Sequence, residues 1–416
     1  MSMVSLGRSE SEAEIPTRRN PDRVGDVETK QQVVANFLER EGFDALLIQQ
    51  PMNFAWFTAG GDNSRSGSSQ TTATLFITHD ARVLVTDNVN SPLLFDHELP
   101  GLGFQLKERP WHQPRKQLVE DIVRGRNVAS DTPLSGVVDI SERLTELRLP
   151  LTDLECQRMR ELGKSVAHAV EATARRFPRG ATEAEVAAEV AHRLIKHQIV
   201  PEMIQVVAGG RRERYRHWSF DDRPIEQTCA ISVIGRRWGI CAGAARTVCF
   251  DSMPKEIQAA HQATMLIHAT GMYFSKASWE IKAVWERVAR IYEKFGHASE
   301  WQLATQAEVI GYSPMEVPVL PGSDFPLKSR MALHWHPSVG PAVMGDTVLI
   351  TDRGIELITP CEVWPRLTVQ VKQTPVVCPD ILIRTEADLT GGDSVFALEA
   401  EWIDQDGGNF SDSALD

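Results

Sequence analysis

The sequence predicts an α/β (α+β) protein of two consecutive domains. A chain of 416 residues is long enough for two domains with separate cores. Helical and strand-like segments alternate over the first 150 residues, and a helix pair followed by strands occurs twice afterwards. We expect a disordered polar leader over 1–25, an α/β domain over 26–150, a domain of helices and antiparallel strands over 151–385, and an acidic tail over 386–416.

The first domain opens with a predicted helix over 27–43. Val34, Phe37 and Leu38 recur there at helical spacing, and Gly42 stands where a C-terminal cap belongs. The run DALLIQQ predicts a short buried strand, and the aromatic run NFAWFTAGG leads into a Gly/Ser loop. The segment ATLFITHDARVLVTDN predicts two strands around a polar turn, which completes an α/β pattern.

The second domain begins with a long predicted helix capped by Thr152 or Asp153. The Pro-Arg-Gly break at 178–180 ends this unit, and Thr182 with Glu185 forms a capping box for the next helix. Strand-like runs, a helical pair within 254–296 and a strand-rich final third follow.

Composition and charge exclude several classes of partner. The formal net charge is -12 and the pI is near 5.5, whereas nucleic acids and anionic membranes attract clustered Lys and Arg. No apolar stretch approaches the ~20 residues of a membrane span. Six scattered cysteines without a CxxC spacing predict free thiols in a reducing compartment. We therefore expect a cytoplasmic protein that binds a small molecule, without nucleic acid or membrane.

The most informative motifs lie in the second domain. Residues 215–251 read YRHWSFDDRPIEQTCAISVIGRRWGICAGAARTVCFD, and GYSPMEVP and GDTVLITDRGIEL follow. In this order they resemble the catalytic domain of the pita-bread superfamily, which includes methionine aminopeptidase, aminopeptidase P, prolidase and creatinase. The earlier ERxGxDALLI run resembles the N-terminal domain of creatinase and prolidase, so the likeness covers residues 28–360.

The same resemblance shows what the chain lacks. In metal-dependent relatives two Asp of a hairpin, a His and two Glu hold a pair of metal ions, and a catalytic His lies nearby. The matching ligand positions are Val233, Gly243, Glu308, His336 and Gly345, and the catalytic His position is Met315. Ions of this kind need several carboxylate oxygens, which Val and Gly do not offer. We therefore expect no metal and no cofactor.

Creatinase is a family precedent for hydrolysis of a C–N bond without metal, and the ectoine hydrolases also resemble this chain. In such relatives a His on the loop before the hairpin belongs to the active site, and His217 has that position. The resemblance implies a divergent homodimer nearest to this metal-free branch. It would hydrolyse a C–N bond in a small polar or zwitterionic compound.

His217, Glu316 and Arg246 form the expected catalytic group. A His titrates near neutral pH, so His217 can act as a general acid or base. Glu316 can orient His217 or bind a cationic substrate group. Arg246 can bind a substrate carboxylate through two hydrogen bonds, and an ion pair that joins two strands is the alternative.

His334 and His336 are predicted to line the pocket, because residues i and i+2 of a strand face the same side. Alternatively, this His-x-His pair binds a transition metal with Glu316, Glu308 or His217 as a third ligand. Glu308 and Tyr312 are weaker site candidates, and an exposed helix end is the simpler expectation for Glu308.

Trp218 and Trp335 adjoin the candidate histidines and can form an aromatic box for a cationic substrate, with core packing as the alternative. In creatinase-like dimers the N-terminal domain reaches the partner's site, so Arg65 of the Gly/Ser loop can bind a substrate carboxylate. A solvated Arg is the alternative for that position.

Three functions remain open from the sequence. The first is metal-independent hydrolysis, and the second is a catalytically inactive pseudo-peptidase that uses the cleft for binding. The third is a proline-dipeptide metallopeptidase with a rewired, His-rich site.

Overall fold

The computed structural model describes residues 20–65 and 70–385. The chain divides into two compact units, Met1–Arg148 and Leu149–Asp416. The first helix, α1 (Pro21–Glu41), begins inside the stretch predicted as leader, with Asn20 as its N-cap and Gly42 as its left-handed C-cap. Residues 1–19, part of the Gly/Ser loop (66–69) and the predicted tail, 386–416, lie outside the described residues.

The first unit is built around a six-stranded mixed sheet with the strand order β4-β3-β2-β1-β5-β6. Its core packs β1, β2, β3 and β5 against a helix. Its strands are β1 (Ala45–Ile48), β2 (Thr74–Ile77), β3 (Arg82–Asp87), β4 (Gln105–Arg109), β5 (Val128–Ser130) and β6 (Val138–Asp139). Its further helices are α2 (Pro51–Phe57), a π-helix (Pro92–Glu98), α3 (Arg115–Val123) and α4 (Ser141–Arg148).

The second unit begins with two capped helices, α5 (Asp153–Arg176) and α6 (Glu183–Lys196). Capping boxes of Thr152 with Glu155 and of Thr182 with Glu185 start them, which confirms Thr182 and selects Thr152 over Asp153. Next come β7 (Val200–Ala208), a 3-10 turn (Gly209–Glu213), β8 (Thr228–Arg237), β9 (Ile240–Phe250), α7 (Lys255–Phe274), α8 (Ile281–Lys294) and a 3-10 turn (Glu300–Leu303).

Short strands make up the rest of the second unit as far as residue 385, as the sequence predicts. They are β10 (Ala307–Ile310), β11 (Val317–Pro318), β12 (Ala332–Trp335), β13 (Ser338–Val339), β14 (Ala342–Val343), β15 (Asp346–Thr351), β16 (Gly354–Leu357), β17 (Arg366–Val371), β18 (Thr374–Pro379) and β19 (Leu382–Arg384).

Two half-sheets of the second unit position the candidate site. The first half-sheet has the order β19-β9-β8-β7 and the second has the order β11-β10-β12-β15-β16. They meet where Ala245 of β9 donates its N–H to the carbonyl of Gly345, at 2.9 Å. The mixed α/β architecture confirms the predicted fold class.

Helices cover the outer face of each half-sheet. A Cβ on Gly235 of β8 would lie 2.9 Å from Val166 of α5. A Cβ on Gly271 of α7 would lie within 2.7 Å of the Trp335 ring of β12. Since side chains alternate along a strand, Ser232 and His334 point the other way, to what we call the inner face.

All six cysteines are buried and free, and all lie within the described residues. Among the helices of 20–65 and 70–385, none combines the length and apolar character that a membrane span requires.

Candidate functional site

The strand register decides which residue of β8 faces the site. Ile234 pairs with Gly243 and Val233 pairs with Ala244, and paired residues of antiparallel strands share a face. Gly243 therefore shares its face with Ser232 and Ile234, whereas Val233 points outward to the helices. The assignment of Val233 to the first Asp position is therefore wrong, because this residue faces the helices; its neighbours Ser232 and Ile234 are the residues that face the inner side.

The His334 ring fills the space in front of Gly243. A Cβ on Gly243 would lie 2.7 Å from both Cε1 and Nε2 of this imidazole. The second Asp position is thus closed by a side chain of the opposite half-sheet. Gly345 is closed in the same way, because a Cβ there would lie 2.8 Å from the Cβ of Ala245.

A pair of metal ions held by carboxylates does not fit these residues. Ser232, Gly243 and Gly345 supply no carboxylate, and the space for one is filled at the two glycines. Two closely spaced cations need several anionic oxygens to balance their charge. The inner face therefore offers neither the carboxylates at these three positions nor, at the two glycines, the room for a pair of metal ions held in this way.

Glu308, His334 and His336 lie together on the inner face of the second half-sheet. Glu308 of β10 pairs with His334 of β12 across the ladder. The two imidazole rings stack with their centroids 4.9 Å apart, and His336 Nε2 lies 2.7 Å from Glu308 Oε2. Glu308 is buried on a strand, so the exposed helix end expected for it is wrong.

Hydrogen bonds orient the buried ring of His334. Its Nδ1 lies 3.3 Å from both the carbonyl oxygen of Asp346 and Oγ1 of Thr347. The Thr347 hydroxyl also bonds the backbone N–H and carbonyl of Gly243, at 2.9 and 2.8 Å. Burial and the neighbouring His336 lower the pKa of His334 to about 4, so this ring is neutral near pH 7.

One buried carboxylate anchors the loop that carries His217. Glu183 accepts hydrogen bonds from the N–H groups of Ala208 and Asp221, at 2.7 and 3.1 Å, and from Trp218 Nε1 at 3.0 Å. Arg211 completes the set with an ion pair to Glu183. These contacts fix both ends of the stretch 208–221, although it contains little regular structure.

His217 is exposed on this loop. Its neighbour Arg216 donates to Ser338 Oγ at 3.1 Å and to Glu300 Oε2 at 2.8 Å, which holds the loop beside the segment that follows His336. His217 is not one of the three residues whose ligand atoms converge around His334.

Arg246 is a structural residue, and the substrate-binding role expected for it does not fit its placement. Its guanidinium is fully buried and pairs with Glu171 and Asp346, each at 3.0 Å. It also donates to the carbonyl oxygens of Ala245, Gly345 and Thr359. The alternative of an ion pair joining strands describes it correctly.

Glu316 caps the turn after β10. Its Oε1 accepts hydrogen bonds from the backbone N–H groups of Tyr312 and Ser313, at 2.9 and 3.0 Å. Tyr312 is buried and its hydroxyl donates to Glu155, the capping residue of α5. Both contacts stabilise the local chain path, which differs from the catalytic role expected for Glu316.

The two tryptophans do not form an aromatic box. Trp335 is fully buried on the outer face, where its Nε1 donates to Ser275 Oγ at 3.0 Å, so its expected substrate contact is wrong. Trp218 is half-buried, and the Arg211 guanidinium already lies 4.6 Å from its ring centroid. Arg65 is exposed and belongs to the first unit.

Several residues of the site are not recognisable from the sequence as site residues. Glu183 resembles an ordinary first-turn acid of a capped helix, and the basic run 211–214 that contains Arg212 predicts a solvated loop or a local carboxylate clamp. In the sequence, Glu308 and His336 only stand out as residues that differ from the metal ligands of relatives. Nothing in the sequence predicts that their side chains contact each other. Tertiary contacts between distant segments give these residues their roles.

Comparison with known proteins agrees with this architecture. Residues 157–353 match the model of metallopeptidase family M24. The Xaa-Pro dipeptidase from Bacillus anthracis is similar in structure, with a TM-score of 0.69 at 16% identity, over 86% of this chain and 100% of that one. The dipeptidase PepE from Mycobacterium ulcerans has a TM-score of 0.70 at 16% identity, over 87% and 99% of the two chains.

One of the similar structures is not named as a peptidase. The N-terminal domain of the FACT complex subunit SPT16 from Cicer arietinum has a TM-score of 0.65 at 11% identity, over 81% of this chain and 96% of that one. No curated protein matches the chain by sequence. At these identities the likeness establishes the fold alone. The chain therefore has the fold of these dipeptidase structures, the pita-bread fold expected from the sequence, and residues 157–353 match the family M24 model.

Proposed function

We propose that the inner-face cleft hydrolyses a C–N bond in a small polar compound, with His336 and Glu308 as an acid–base pair. The observation that carries this proposal is the 2.7 Å contact between His336 Nε2 and Glu308 Oε2. The imidazole is 22% exposed while its carboxylate partner is buried. A partly exposed His oriented by a buried carboxylate is a common arrangement for proton transfer.

The pairing assigns a role to each nitrogen of His336. The carboxylate of Glu308 accepts a hydrogen bond from the Nε2–H group, which leaves Nδ1 with its lone pair free. Nδ1 then removes a proton from the water that attacks the carbon of the C–N bond. The same proton passes to the departing nitrogen, so the pair returns to its starting state. His217 on the adjoining loop is a second proton donor in this scheme.

Turnover by matched variants tests the assignment. Wild-type protein is incubated with proline dipeptides, guanidino acids and cyclic amidines, and products are measured by mass spectrometry, with and without a chelator. We expect chelator-resistant turnover of one class, and a loss of about 10²-fold or more in His336→Gln and Glu308→Gln. Undiminished turnover in His336→Gln contradicts the assignment.

The control substitution is His192→Gln, which removes an exposed His of α6. It should leave turnover unchanged. Absence of turnover by the wild type with all three classes contradicts the hydrolase proposal and favours a pseudo-peptidase that uses the cleft for binding.

A single-metal hydrolase, the proline-dipeptide metallopeptidase considered above, is the second candidate. One ligand atom from each of Glu308, His334 and His336 lies within 4.8 Å of the others. Two imidazoles and a carboxylate suit one transition-metal ion. Cobalt titration separates the candidates: visible d–d absorption saturating at one ion per chain, and lost in His334→Gln, supports the metal site. Absence of such absorption excludes it.

A further inference from the structure

Two arginines are buried near the residues of the inner face. Arg212 and Arg216 are 6% and 7% exposed, whereas the sequence alone predicts a solvated loop or a local carboxylate clamp for the RRER run to which Arg212 belongs. Arg216 has a carboxylate partner, Glu300, at 2.8 Å. Within 20–65 and 70–385 no carboxylate forms an ion pair with Arg212.

The hydrogen bonds of Arg212 are also incomplete. Its Nη1 donates to the neutral Oε1 of Gln205 at 3.4 Å, a long contact. Its Nε has no hydrogen-bond partner. Burial and the nearby Arg216 lower the pKa of Arg212 to about 10, so the guanidinium keeps its charge near pH 7. A buried cation without an anion is costly, and buried charges in proteins are usually paired.

The register places this cation on the inner face. Gln205 of β7 pairs with Ser232 of β8, and Ser232 pairs with Ala245 of β9, so the three share the face of Gly243 and His334. Arg212 contacts Gln205 on that face. The face that lacks carboxylates at 232, 243 and 345 therefore carries the Arg212 guanidinium, for which the described residues supply no ion-pair partner.

The second arginine connects this charge to the proposed catalytic pair. Arg216 donates to Ser338 Oγ, two residues after His336. Its Nε is likewise without a hydrogen-bond partner. Glu183 fixes both ends of the stretch that carries the two arginines, so they are held in place before any ligand arrives. Such preorganisation lowers the entropic cost of binding.

We propose that Arg212, assisted by Arg216, is the binding site for a carboxylate group of the ligand. This inference rests on the proposed function only for the statement that the ligand is the substrate. A planar guanidinium fork matches a carboxylate in geometry as well as in charge. The cleft would thus select small carboxylic acids over their neutral analogues.

Binding of a pair of probes matched in size and shape tests the inference without any need for turnover. The probes are N-acetylglycinate and N-acetylglycinamide, which differ mainly in the negative charge, and binding is measured by calorimetry at constant ionic strength. We expect the wild type to bind the carboxylate at least about tenfold more tightly than the amide. Arg212→Gln and Arg212→Met should abolish this preference, and Arg212→Lys should retain part of it.

Arg214→Gln is the matched control, because it removes an exposed charge from the same run. It should keep the preference. A second readout separates ligand binding from a structural role: Arg212→Met should keep or raise the melting temperature without ligand, since it removes an unpaired buried charge.

Equal binding of the two probes by the wild type contradicts the inference, and so does an unchanged preference in Arg212→Met. A large drop in the melting temperature of Arg212→Met, with the preference intact in Arg212→Lys and Arg212→Gln, identifies a structural role instead. If the preference holds while no compound is turned over, the carboxylate site stands and the hydrolase proposal fails.

Discussion

Substitution of Gly243 by Ala tests the claim that His334 fills the place of a carboxylate ligand. The new Cβ would lie 2.7 Å from Cε1 and Nε2 of the imidazole, well inside ordinary van der Waals contact. The ring cannot move away freely, because it is buried and its Nδ1 lies 3.3 Å from the Asp346 carbonyl and from Thr347 Oγ1. Overpacking of this kind costs about 1–3 kcal/mol of unfolding free energy.

Urea denaturation near neutral pH measures this cost by linear extrapolation. The control is Gly210→Ala, where nothing lies within 4 Å of the new Cβ, and the expected change is within about 0.5 kcal/mol. In a His334→Ala background the cavity left by the ring accepts the new methyl group. Gly243→Ala should then be neutral or stabilising by up to about 1 kcal/mol.

Two results of the double-mutant cycle would refute the claim that His334 fills this space. If Gly243→Ala is as stable as the wild type, the imidazole does not occupy this space. If the penalty persists in the His334→Ala background, a different neighbour causes it. Either result would remove the physical argument that the second Asp position is closed.

Two further predictions concern buried charges. Arg246→Met leaves Glu171 and Asp346 buried without their cation, so the unfolding free energy in urea should fall by about 3–5 kcal/mol; a loss below about 1 kcal/mol contradicts the network. Burial is the main cause that lowers the pKa of His268 from 6.5 to about 3, and the positive charge of Arg246 is the second. Between these values the unfolded state binds one proton more, so stability decreases as the pH falls, by about 1.4 kcal/mol per pH unit. His268→Gln should reduce that slope by this amount in pH-dependent denaturation and His192→Gln should not; equal slopes in the two variants contradict the prediction.

Local signals in the sequence were sufficient for much of the fold. The capping boxes at Thr152 and Thr182 and the left-handed cap at Gly42 depend on interactions within a few residues, so the pattern predicts them directly. The hairpin of β8 and β9 was also located. The register of this hairpin was not predicted correctly. Val233 and Ser232 are neighbours on opposite faces of the sheet, and only the packing of the folded chain determines which of them faces the helices.

The site was less predictable because it depends on partners far apart in the chain. Arg246 and Arg212 are both arginines near strands, yet Arg246 pairs with two buried carboxylates and Arg212 forms no ion pair with any residue that the structure describes. Glu308 and His336 are 28 residues apart and meet through the ladder of β10 and β12. Spacing predicts that the imidazoles of a His-x-His pair share a face, and it does not predict the carboxylate beside them.

Metal stoichiometry tests the central claim most directly. The protein is purified without chelator, exposed to manganese and cobalt, dialysed and measured by inductively coupled plasma mass spectrometry. With the Gly243 and Gly345 positions closed, fewer than two ions should remain per chain. Two retained ions per chain, bridged in the cleft, would contradict the account.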